Sequence, residues 1–230
     1  MIGIIGAMEE EVSKLKEKML IKETITRASM EFVKGTLGEK EIVVVRSGIG
    51  KVNAGICAQI LVDLFNVDAI INTGIAGSLK AEINIGDIVL SSDALQHDVD
   101  ATGFGYDYGV IPRMETSIFK ASERLIDIAK EGCEKVNKDI STFVGRVVSG
   151  DQFISSKEKK DWILSNFQGY CTEMEGAAIA QVSYLNQIPF LIVRAISDKA
   201  DNSAQMDYGE FEEKAIIHSV NLMVEMINQL

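Results

Sequence analysis

The amino-acid sequence predicts an α/β fold, and two observations carry that prediction. Short apolar runs alternate with longer amphipathic segments along the chain, which is typical of strands and helices that follow one another. The 230 residues are 47% hydrophobic and 25% charged, as in an ordinary globular protein. Because α/β folds of this length usually stay whole, we expect a single domain over residues 1–230.

Hydrophobic periodicity assigns the elements of the first half of the chain. Apolar residues at helical spacing, among them Val52, Ile56 and Ile60, predict a helix over Lys51–Phe65. A second helix is predicted over about Glu9–Met19, directly after the first apolar run. Short apolar runs predict the strands of this half, at Ile2–Ile5, Thr26–Leu37, Glu41–Arg46, Ala69–Ile71 and Ile88–Leu90.

The second half of the chain continues the alternation of helices and strands. Ser155 and Glu158 form a capping-box pattern, which predicts a helix that starts there and ends near Phe167. The other expected elements are helices at Phe119–Glu131, Gly176–Leu185 and Glu210–Gln229, and strands at Thr142–Val148, Tyr170–Thr172 and Phe190–Ile196. The stretch His97–Pro112 is long, irregular and rich in glycine and aromatic residues. Loops of this length inside a compact domain more often have a function than not, although a surface loop without a function is the alternative.

The charge balance limits the partners that we expect. Lys and Arg number 23 against 34 Asp and Glu, so the formal net charge is 23 − 34 = −11 at pH 7. Proteins that bind phosphate backbones carry clustered Lys and Arg instead. We therefore expect no nucleic acid and no anionic membrane surface as a partner. No apolar run approaches the roughly 18 residues of a membrane span, so we expect no membrane-spanning segment either.

The cysteine and histidine counts exclude further classes of protein. Cys57, Cys133 and Cys171 are far apart and odd in number, which argues against a disulfide framework and fits a reducing compartment. The apolar N-terminal run lacks the basic start of a signal peptide, so we expect a cytoplasmic location. His97 and His218 are too few and too scattered for a zinc site, and we expect no metal.

The residues that follow the predicted strands are the candidates for chemistry, because open α/β sheets bind ligands at the carboxyl ends of their strands. These positions gather carboxylates, glycine turns and apolar side chains in the segments 6–11, 47–50, 72–77, 149–154, 173–176 and 197–198. Each piece also has a structural explanation. Glutamates at a helix start complement the helix macrodipole, and an aspartate such as Asp198 commonly caps a turn. Arg194, inside an apolar strand, needs a ligand or a carboxylate partner, and a structural ion pair satisfies that need equally well.

The glycine spacing argues against the common nucleotide-binding motifs. Gly48 and Gly50 lack the third glycine of a dinucleotide-binding loop, and the Gly50-Lys51 pair is followed by Val52 rather than by Ser or Thr. Glutamates after the first strand further disfavour a phosphate at this edge. An uncharged ligand with hydroxyl groups for carboxylates and apolar faces for Met and Phe fits better. A nucleoside without phosphate meets that description.

Seven segments together carry a resemblance to a known family. They are Ile2–Glu11 (IGIIGAMEEE), Ser47–Val52 (SGIGKV), Ile71–Gly77 (INTGIAG), Asp100–Gly109 (DATGFGYDYG), Ser149–Ile154 (SGDQFI), Glu173–Glu175 (EME) and Val193–Asp198 (VRAISD). In this order they resemble the 5′-methylthioadenosine/S-adenosylhomocysteine nucleosidases of the purine nucleoside phosphorylase-like superfamily. The resemblance implies a three-layer α/β/α domain with a mixed central sheet, and a homodimer.

The resemblance also implies a reaction. Such enzymes hydrolyse the N-glycosidic bond of methylthioadenosine and S-adenosylhomocysteine, and 5′-deoxyadenosine as a further substrate, without cofactor or metal, in methionine salvage and the recycling of S-adenosylmethionine by-products. Glu11 matches the residue that activates the attacking water, and Asp198, beside Ser197, matches the acid that protonates N7 of adenine. Glu175 matches the carboxylate that holds the ribose hydroxyls, and Met174 lines the sugar.

The remaining site residues also follow from the resemblance. Phe153 and the Ile154 backbone match the adenine clamp, and Phe104 and Pro112 match residues that reach the neighbouring subunit's site. The other expected substrate-contacting or water-site positions are Met8, Ile49, Gly77, Glu173, Arg194 and Tyr208. The chain departs from the family pattern at Ile75, Ser78, Ala101 and Tyr208, which bears on substrate preference more than on the reaction.

Two other functions stay open on the sequence. A nucleoside phosphorylase on the same fold would need a basic phosphate site, whereas the first predicted strand here is followed by glutamates. A non-catalytic nucleoside-binding protein would have no need for an acid and a base together.

Overall fold

The computed structural model describes residues 1–230, apart from the side chain of Gln205. Over these residues the strands are β1 (Ile2–Gly6), β2 (Leu20–Arg27), β3 (Met30–Leu37), β4 (Lys40–Arg46), β5 (Ala69–Ser78), β6 (Ile88–Gln96), β7 (Phe119–Lys120), β8 (Thr142–Ser149), β9 (Cys171–Glu173) and β10 (Phe190–Asp198). The α-helices are α1 (Glu9–Lys16), α2 (Lys51–Phe65), α3 (Glu123–Val136), α4 (Lys157–Phe167), α5 (Gly176–Leu185) and α6 (Ala204–Gln229). None of these helices combines the length and apolar character that crossing a membrane requires.

The ten described strands form one mixed sheet in the order β10-β6-β8-β9-β5-β1-β4-β3-β2, with β7 beside β6. β10 also pairs with β5, so that β5, β9, β8, β6 and β10 close on one another while β1 to β4 extend the sheet to one side. β1 runs parallel to β4 and β5, and β5 runs parallel to β10. The carboxyl ends of β1, β5 and β10 therefore meet at one edge, as the sequence predicted for its chemical residues.

The helices cover both faces of the sheet. One hydrophobic core contains residues of α1, α3 and α6, and a second contains residues of α2 and α5. β4 contributes to both cores in strict alternation, because Ile42 and Val44 belong to the first and Val43 and Val45 to the second. The predicted α/β fold with helices on either side of a mixed central sheet is confirmed.

The predicted strand Thr26–Leu37 is confirmed over Met30–Leu37, which forms β3 and pairs with β4, but its first residues are wrong. The chain instead forms a hairpin of β2 and β3, with the turn at Ala28 and Ser29, whose φ angles are 48° and 62°. Two-residue hairpin turns of this kind normally use Asn or Gly, so the sequence offered no turn signal. β2 is also an edge strand whose residues are mostly exposed, which removes the alternation that predicts a strand.

Three helix starts also differ from the prediction. Phe119 lies in the short strand β7, and α3 begins only at Glu123, after the N-cap Ser122. The N-cap of α4 is Ser156, whose side chain accepts a hydrogen bond from the Lys159 amide, so the capping box at the preceding serine does not form. The last helix begins at Ala204, six residues before the predicted start at Glu210.

The contribution of α2 packing to stability can be tested by comparing a buried leucine on α2 with an exposed leucine on β2. Leu61 is fully buried in the second core, so Leu61→Ala should lower the free energy of unfolding by about 2–5 kcal/mol. Leu20 on β2 is 71% exposed, and Leu20→Ala should change the free energy of unfolding by less than about 0.5 kcal/mol. Urea unfolding at one protein concentration measures both, and equal effects of the two substitutions would contradict this packing.

Candidate active site

A cavity of about 480 Å³ opens where the carboxyl ends of β1, β5, β9 and β10 meet. Eleven of the residues expected from the sequence line it: Met8, Glu11, Ile49, Gly77, Phe153, Glu173, Met174, Glu175, Ser197, Asp198 and Tyr208. They come from segments up to 200 positions apart in the chain, so only the tertiary structure brings them together. The cavity combines carboxylates with apolar side chains, as a nucleoside ligand requires.

Four of the expected residues lie outside the cavity lining. Arg194 is fully buried behind Glu173, and Ile154 packs in a third small core with Phe167. Phe104 and Pro112 lie on the exposed loop between β6 and β7, with Phe104 87% exposed. Within one chain, therefore, Phe104 and Pro112 do not line the cavity.

The cavity also has lining residues that were not expected as site residues, namely Ala7, Ile75, Ala76 and Thr172. Among them, Ile75 was noted in the sequence as a departure from the family pattern. Ala7, Ile75 and Ala76 lie in the segments 6–11 and 72–77 that the sequence marked as candidates, whereas Thr172 is signalled only by its position next to Glu173.

Glu11 is held by the backbone at the start of α1. One carboxylate oxygen accepts hydrogen bonds from the amides of Ala7 (2.6 Å) and Met8 (3.0 Å), and the other accepts from the amide of Ile75 (3.1 Å). The side chain is buried, and burial raises the pKa of Glu11. The positive charge of Arg194 and the three amides oppose that shift because they stabilise the charged form. Glu11 is therefore a fixed carboxylate with one lone-pair position left free.

Asp198 is aimed into the cavity by a β-bulge at the end of β10. Ile196 pairs with Ala76 and Asp198 with Gly77, so that Ser197 is the extra residue of the bulge. The Asp198 carboxylate accepts hydrogen bonds from the amide of Ala200 (2.7 Å) and from the Ser197 hydroxyl (2.9 Å). Burial raises the pKa of Asp198 against the effect of these two donors. The carboxyl group is therefore biased toward its protonated form.

Gly77 is needed for this approach of β10 to β5. A Cβ atom at position 77 would lie 2.7 Å from the Asp198 Oδ1 atom and 2.8 Å from the Ala200 Cβ atom. Both distances are shorter than real Cβ contacts. The glycine that the sequence marked as a site residue thus acts by leaving room for the carboxylate.

Glu175 lies just before the first residue of α5, on the opposite wall. One of its carboxylate oxygens accepts a hydrogen bond from the amide of Gly50 (2.8 Å), which precedes the first residue of α2. Burial, followed by the negative charge of Glu173, raises the pKa of Glu175 to about 8. Arg194 and the Gly50 amide oppose this shift. No other donor to the Glu175 carboxylate occurs among the described residues, so its second oxygen is available to a ligand.

A buried ion pair of Glu173 and Arg194 lies behind the three carboxylates. The Arg194 guanidinium also donates to the side chain and the carbonyl of Asn72 and to the Val193 carbonyl. Glu173 in turn accepts hydrogen bonds from the Ser149 hydroxyl and from the amides of Glu175 and Gly176. Each group has its charge and most of its hydrogen-bonding capacity satisfied within the protein, so the pair supports the site, with Glu173 at the cavity wall and Arg194 behind it.

Apolar and aromatic side chains form the outer part of the cavity. The rings of Phe153 and Tyr208 meet edge to face, with centroids 6.0 Å apart and an interplanar angle of 87°. The Tyr208 hydroxyl contacts the Met8 sulfur (3.3 Å) and donates to Glu212 (3.1 Å). Ile49 and Phe153 are about half exposed, so a flat ligand could be covered by side chains that water now reaches. No group of three or more His, Cys, Asp or Glu suited to a metal ion occurs among the described side chains.

The fold and the cavity agree with what comparison with known proteins finds. Residues 1–228 match the model of the phosphorylase superfamily. A 5′-methylthioadenosine/S-adenosylhomocysteine nucleosidase of Staphylococcus aureus (strain JH9) is 44% identical over an alignment of 231 positions that covers 100% of both chains.

Two solved structures are similar over the whole chain. The nucleosidase of the same name from Neisseria meningitidis, in complex with methylthio-immucillin-A, has a TM-score of 0.95 and 36% identity, covering 100% of this chain and 99% of that one. A futalosine hydrolase of Helicobacter pylori has a TM-score of 0.94 and 36% identity, covering 100% and 97%. The chain belongs to the phosphorylase superfamily and, within it, to the family of 5′-methylthioadenosine/S-adenosylhomocysteine nucleosidases.

The Glu173–Arg194 pair gives a stability prediction. Arg194→Met should lower the free energy of unfolding by about 3–5 kcal/mol, because it leaves the Glu173 carboxylate buried without its cation. The double variant Arg194→Met/Glu173→Gln should recover part of that loss, since the uncompensated charge is gone. Urea unfolding measures both variants. A double variant less stable than the single one would contradict the pairing.

Proposed function

We propose that this protein is an N-glycosyl hydrolase, active as one domain over residues 1–230, that releases adenine from 5′-methylthioadenosine and S-adenosylhomocysteine. 5′-Deoxyadenosine is a further expected substrate. The observation that carries the proposal is the convergence of three buried carboxylates, Glu11, Glu175 and Asp198, on one cavity with apolar walls. The full-length similarity to nucleosidases of this name supports the choice of substrate.

Asp198 acts as the general acid. Adenine leaves easily only after N7 is protonated, so the acid must keep its proton near neutral pH. Burial raises the pKa of Asp198 and extends the pH range in which the proton is retained. The Ala200 amide and the Ser197 hydroxyl orient the carboxyl group. The proton passes from Asp198 to N7, and the electron pair of the breaking C1′–N9 bond goes to the adenine ring.

Glu11 acts as the base that orients and activates water. Three amides use three of the roughly four lone-pair positions of its carboxylate, which leaves one for a water proton. The water oxygen then forms the new bond to C1′ while its proton passes to Glu11. An acid and a base on opposite sides of the scissile bond are the arrangement that glycoside hydrolysis generally uses.

Glu175 holds the ribose. The Gly50 amide donates to one oxygen, and the other oxygen is free to accept hydrogen bonds from the 2′- and 3′-hydroxyl groups. Its negative charge also stabilises the positive charge that develops on the sugar as the glycosidic bond breaks. Met174 lies beside it and packs on the sugar, while Phe153, with the Ile154 backbone, clamps the base. Met8, Ile49 and Tyr208 supply an apolar wall that suits an alkylthio group at C5′.

A phosphate-dependent phosphorylase is the second candidate, because the superfamily carries that name. Phosphate as nucleophile needs a free cationic or amide site in place of water. The Glu11 carboxylate binds the amides that follow β1, and the Arg194 guanidinium is bound to Glu173 and Asn72. These contacts favour water over phosphate. A non-catalytic nucleoside-binding protein is the third candidate, and it would not need Asp198 and Glu11 on one cavity.

A second copy of this chain is the proposed partner. Val52, Ile56 and Leu64, spaced by multiples of four along α2, are 73%, 42% and 42% exposed, and Phe104 is 87% exposed. An apolar stripe of this kind on a helix surface is typical of a protein interface. In the dimer, the loop with Phe104 and Pro112 completes the 5′ end of the neighbouring site. The buried free thiols of Cys57, Cys133 and Cys171 suit a reducing cytoplasm.

Adenine release tests the hydrolase and its acid and base. Asp198→Asn and Glu11→Gln should each lower the rate with methylthioadenosine by about 10²–10⁴-fold, because each removes one proton transfer. The neighbouring substitutions Asp201→Asn and Glu10→Gln should leave the rate close to that of the wild type. Free adenine is measured with and without phosphate. Near wild-type turnover in either site variant would refute the role of that residue, and strict dependence on phosphate would refute hydrolysis.

Sedimentation and kinetics together test the dimer. Ile56→Glu should convert a dimer to a monomer, because it places a charge in the apolar stripe, whereas Ile21→Glu on the exposed edge of β2 should not. Phe104→Ala should raise the KM for methylthioadenosine several-fold while the sedimenting mass stays that of a dimer. A fully active monomer would overturn the shared site.

A further inference from the structure

Three loops at the cavity are tied together by one closed ring of hydrogen bonds that the reaction itself does not use. The loops are 47–50 after β4, 97–98 after β6 and 150–154 after β8. The ring consists of Lys51, Asp98 and Asp151, and we refer to it as the Lys51 ring. None of its three members lines the cavity.

The ring closes through both side chains and backbone. The Lys51 ammonium donates to one oxygen of Asp98 (2.6 Å), and the other oxygen of Asp98 accepts from the Asp151 amide (2.9 Å). The Asp151 carboxylate then accepts from the Lys51 amide (2.8 Å), which returns to the starting residue. The Lys51 ammonium also donates to Gln96 (2.8 Å), whose amide group bonds to Gln181 on α5 (2.6 Å).

The ring is more than a surface ion pair. The Lys51 and Asp98 side chains are only 17% and 14% exposed, so water screens their attraction less than it would at an open surface. Although burial raises it, the pKa of Asp98 lies below its usual range because the Lys51 ammonium and the Asp151 amide stabilise the charged form. Asp98 is therefore ionised at neutral pH and holds both partners.

The ring is joined directly to Glu175. Gly50, the residue before Lys51, donates the only hydrogen bond that the Glu175 carboxylate receives among the described residues. Gly50 has a φ of +97°, and a Cβ atom there would lie 3.1 Å from the Asp151 carboxylate, so the ring packs tightly against this backbone position. Two residues after Asp151 comes Phe153 on the cavity wall. The Lys51 ring thus adjoins both the residue that binds Glu175 and the loop that carries the aromatic side chain.

We infer that Lys51, held by Asp98 and Asp151, is a positioning residue that fixes the Gly50 amide on the Glu175 carboxylate. The effect passes through the backbone, because the Lys51 ammonium is bound to Asp98 and Gln96 rather than to Glu175. This inference rests on the proposed role of Glu175 in holding the ribose.

Removing the ring should change the titration of Glu175. The Gly50 amide stabilises the charged form of Glu175, so its displacement in Lys51→Met should raise the pKa of Glu175 by about one unit from its value near 8. Activity that needs the ionised carboxylate is lost as the pH falls through this pKa, and the acid limb of kcat/KM should therefore move to higher pH. At pH 7 we expect kcat/KM for adenine release to fall about tenfold.

The experiment compares Lys51→Met with matched variants in two measurements. One is the pH profile of kcat/KM, and the other is the NMR titration of Glu175 in ¹³C-glutamate-labelled protein, in which Glu175→Gln identifies the Glu175 signal. Lys135→Met, which breaks the Lys135–Glu225 pair (2.6 Å) between α3 and α6, should shift neither the acid limb of kcat/KM nor the titration of Glu175. Lys51→Arg should restore most of the activity. At the exposed Asp151, Asp151→Ala should mimic Lys51→Met, whereas Asp151→Asn keeps an acceptor for the Lys51 amide and should not.

Two results would overturn the inference. One is an unchanged Glu175 titration in both Lys51→Met and Asp151→Ala. The other is a loss of activity that only parallels a loss of thermal stability, with the acid limb unmoved, because that is the behaviour of a merely structural contact. If the wild type releases no adenine, the proposed hydrolysis fails, whereas the NMR titration still decides whether Lys51 positions the Gly50 amide.

Discussion

The buried guanidinium of Arg194 is the interaction on which the rest of the site depends. It lies in the middle of β10, fully buried, where it pairs with Glu173 on β9 and with Asn72 on β5. Its positive charge also acts on Glu11 and opposes the rise that burial causes in the pKa of that carboxyl. Without it, Glu173 would be a buried carboxylate with no cation, which proteins rarely tolerate. One cation in the sheet therefore allows several acids to be placed around one cavity.

The backbone supplies much of the remaining compensation. Amides at the ends of β1 and β5 hold Glu11, an amide at the start of α2 holds Glu175, and an amide after β10 holds Asp198. Such donors are fixed by secondary structure and need no rearrangement when charge develops, which is the condition for electrostatic stabilisation of a transition state. Glu11 receives three hydrogen bonds from donors of the protein and Asp198 receives two, and this difference favours the charged form at Glu11 more strongly than at Asp198.

Much of the fold could be predicted from the sequence, because local hydrophobic patterns report directly on burial. The helix over Lys51–Phe65 agrees with the structure to the residue, and the strand Ile2–Ile5 is one residue short of β1. The hairpin turn at Ala28 and Ser29 escaped prediction because neither residue type favours a positive φ, and the exposed β2 has no buried face to reveal it. The pairing of β10 with both β5 and β6, which closes five strands on one another, also has no local signal.

The sequence by itself determined which residues could do chemistry: carboxylates, glycines and apolar side chains at the ends of predicted strands, in the order of a known family. It left open whether Glu11 was a helix-dipole residue, whether Asp198 was a turn cap and whether Arg194 met a ligand or a partner. Only the tertiary structure decided these questions, because each depends on contacts between distant segments. Glu11 accepts from Ile75, and Arg194 is closed off by Glu173. A bulge turns Asp198 into the cavity beside Gly77. The sequence could not decide these roles because burial and charge act through space, between residues that are far apart in the chain.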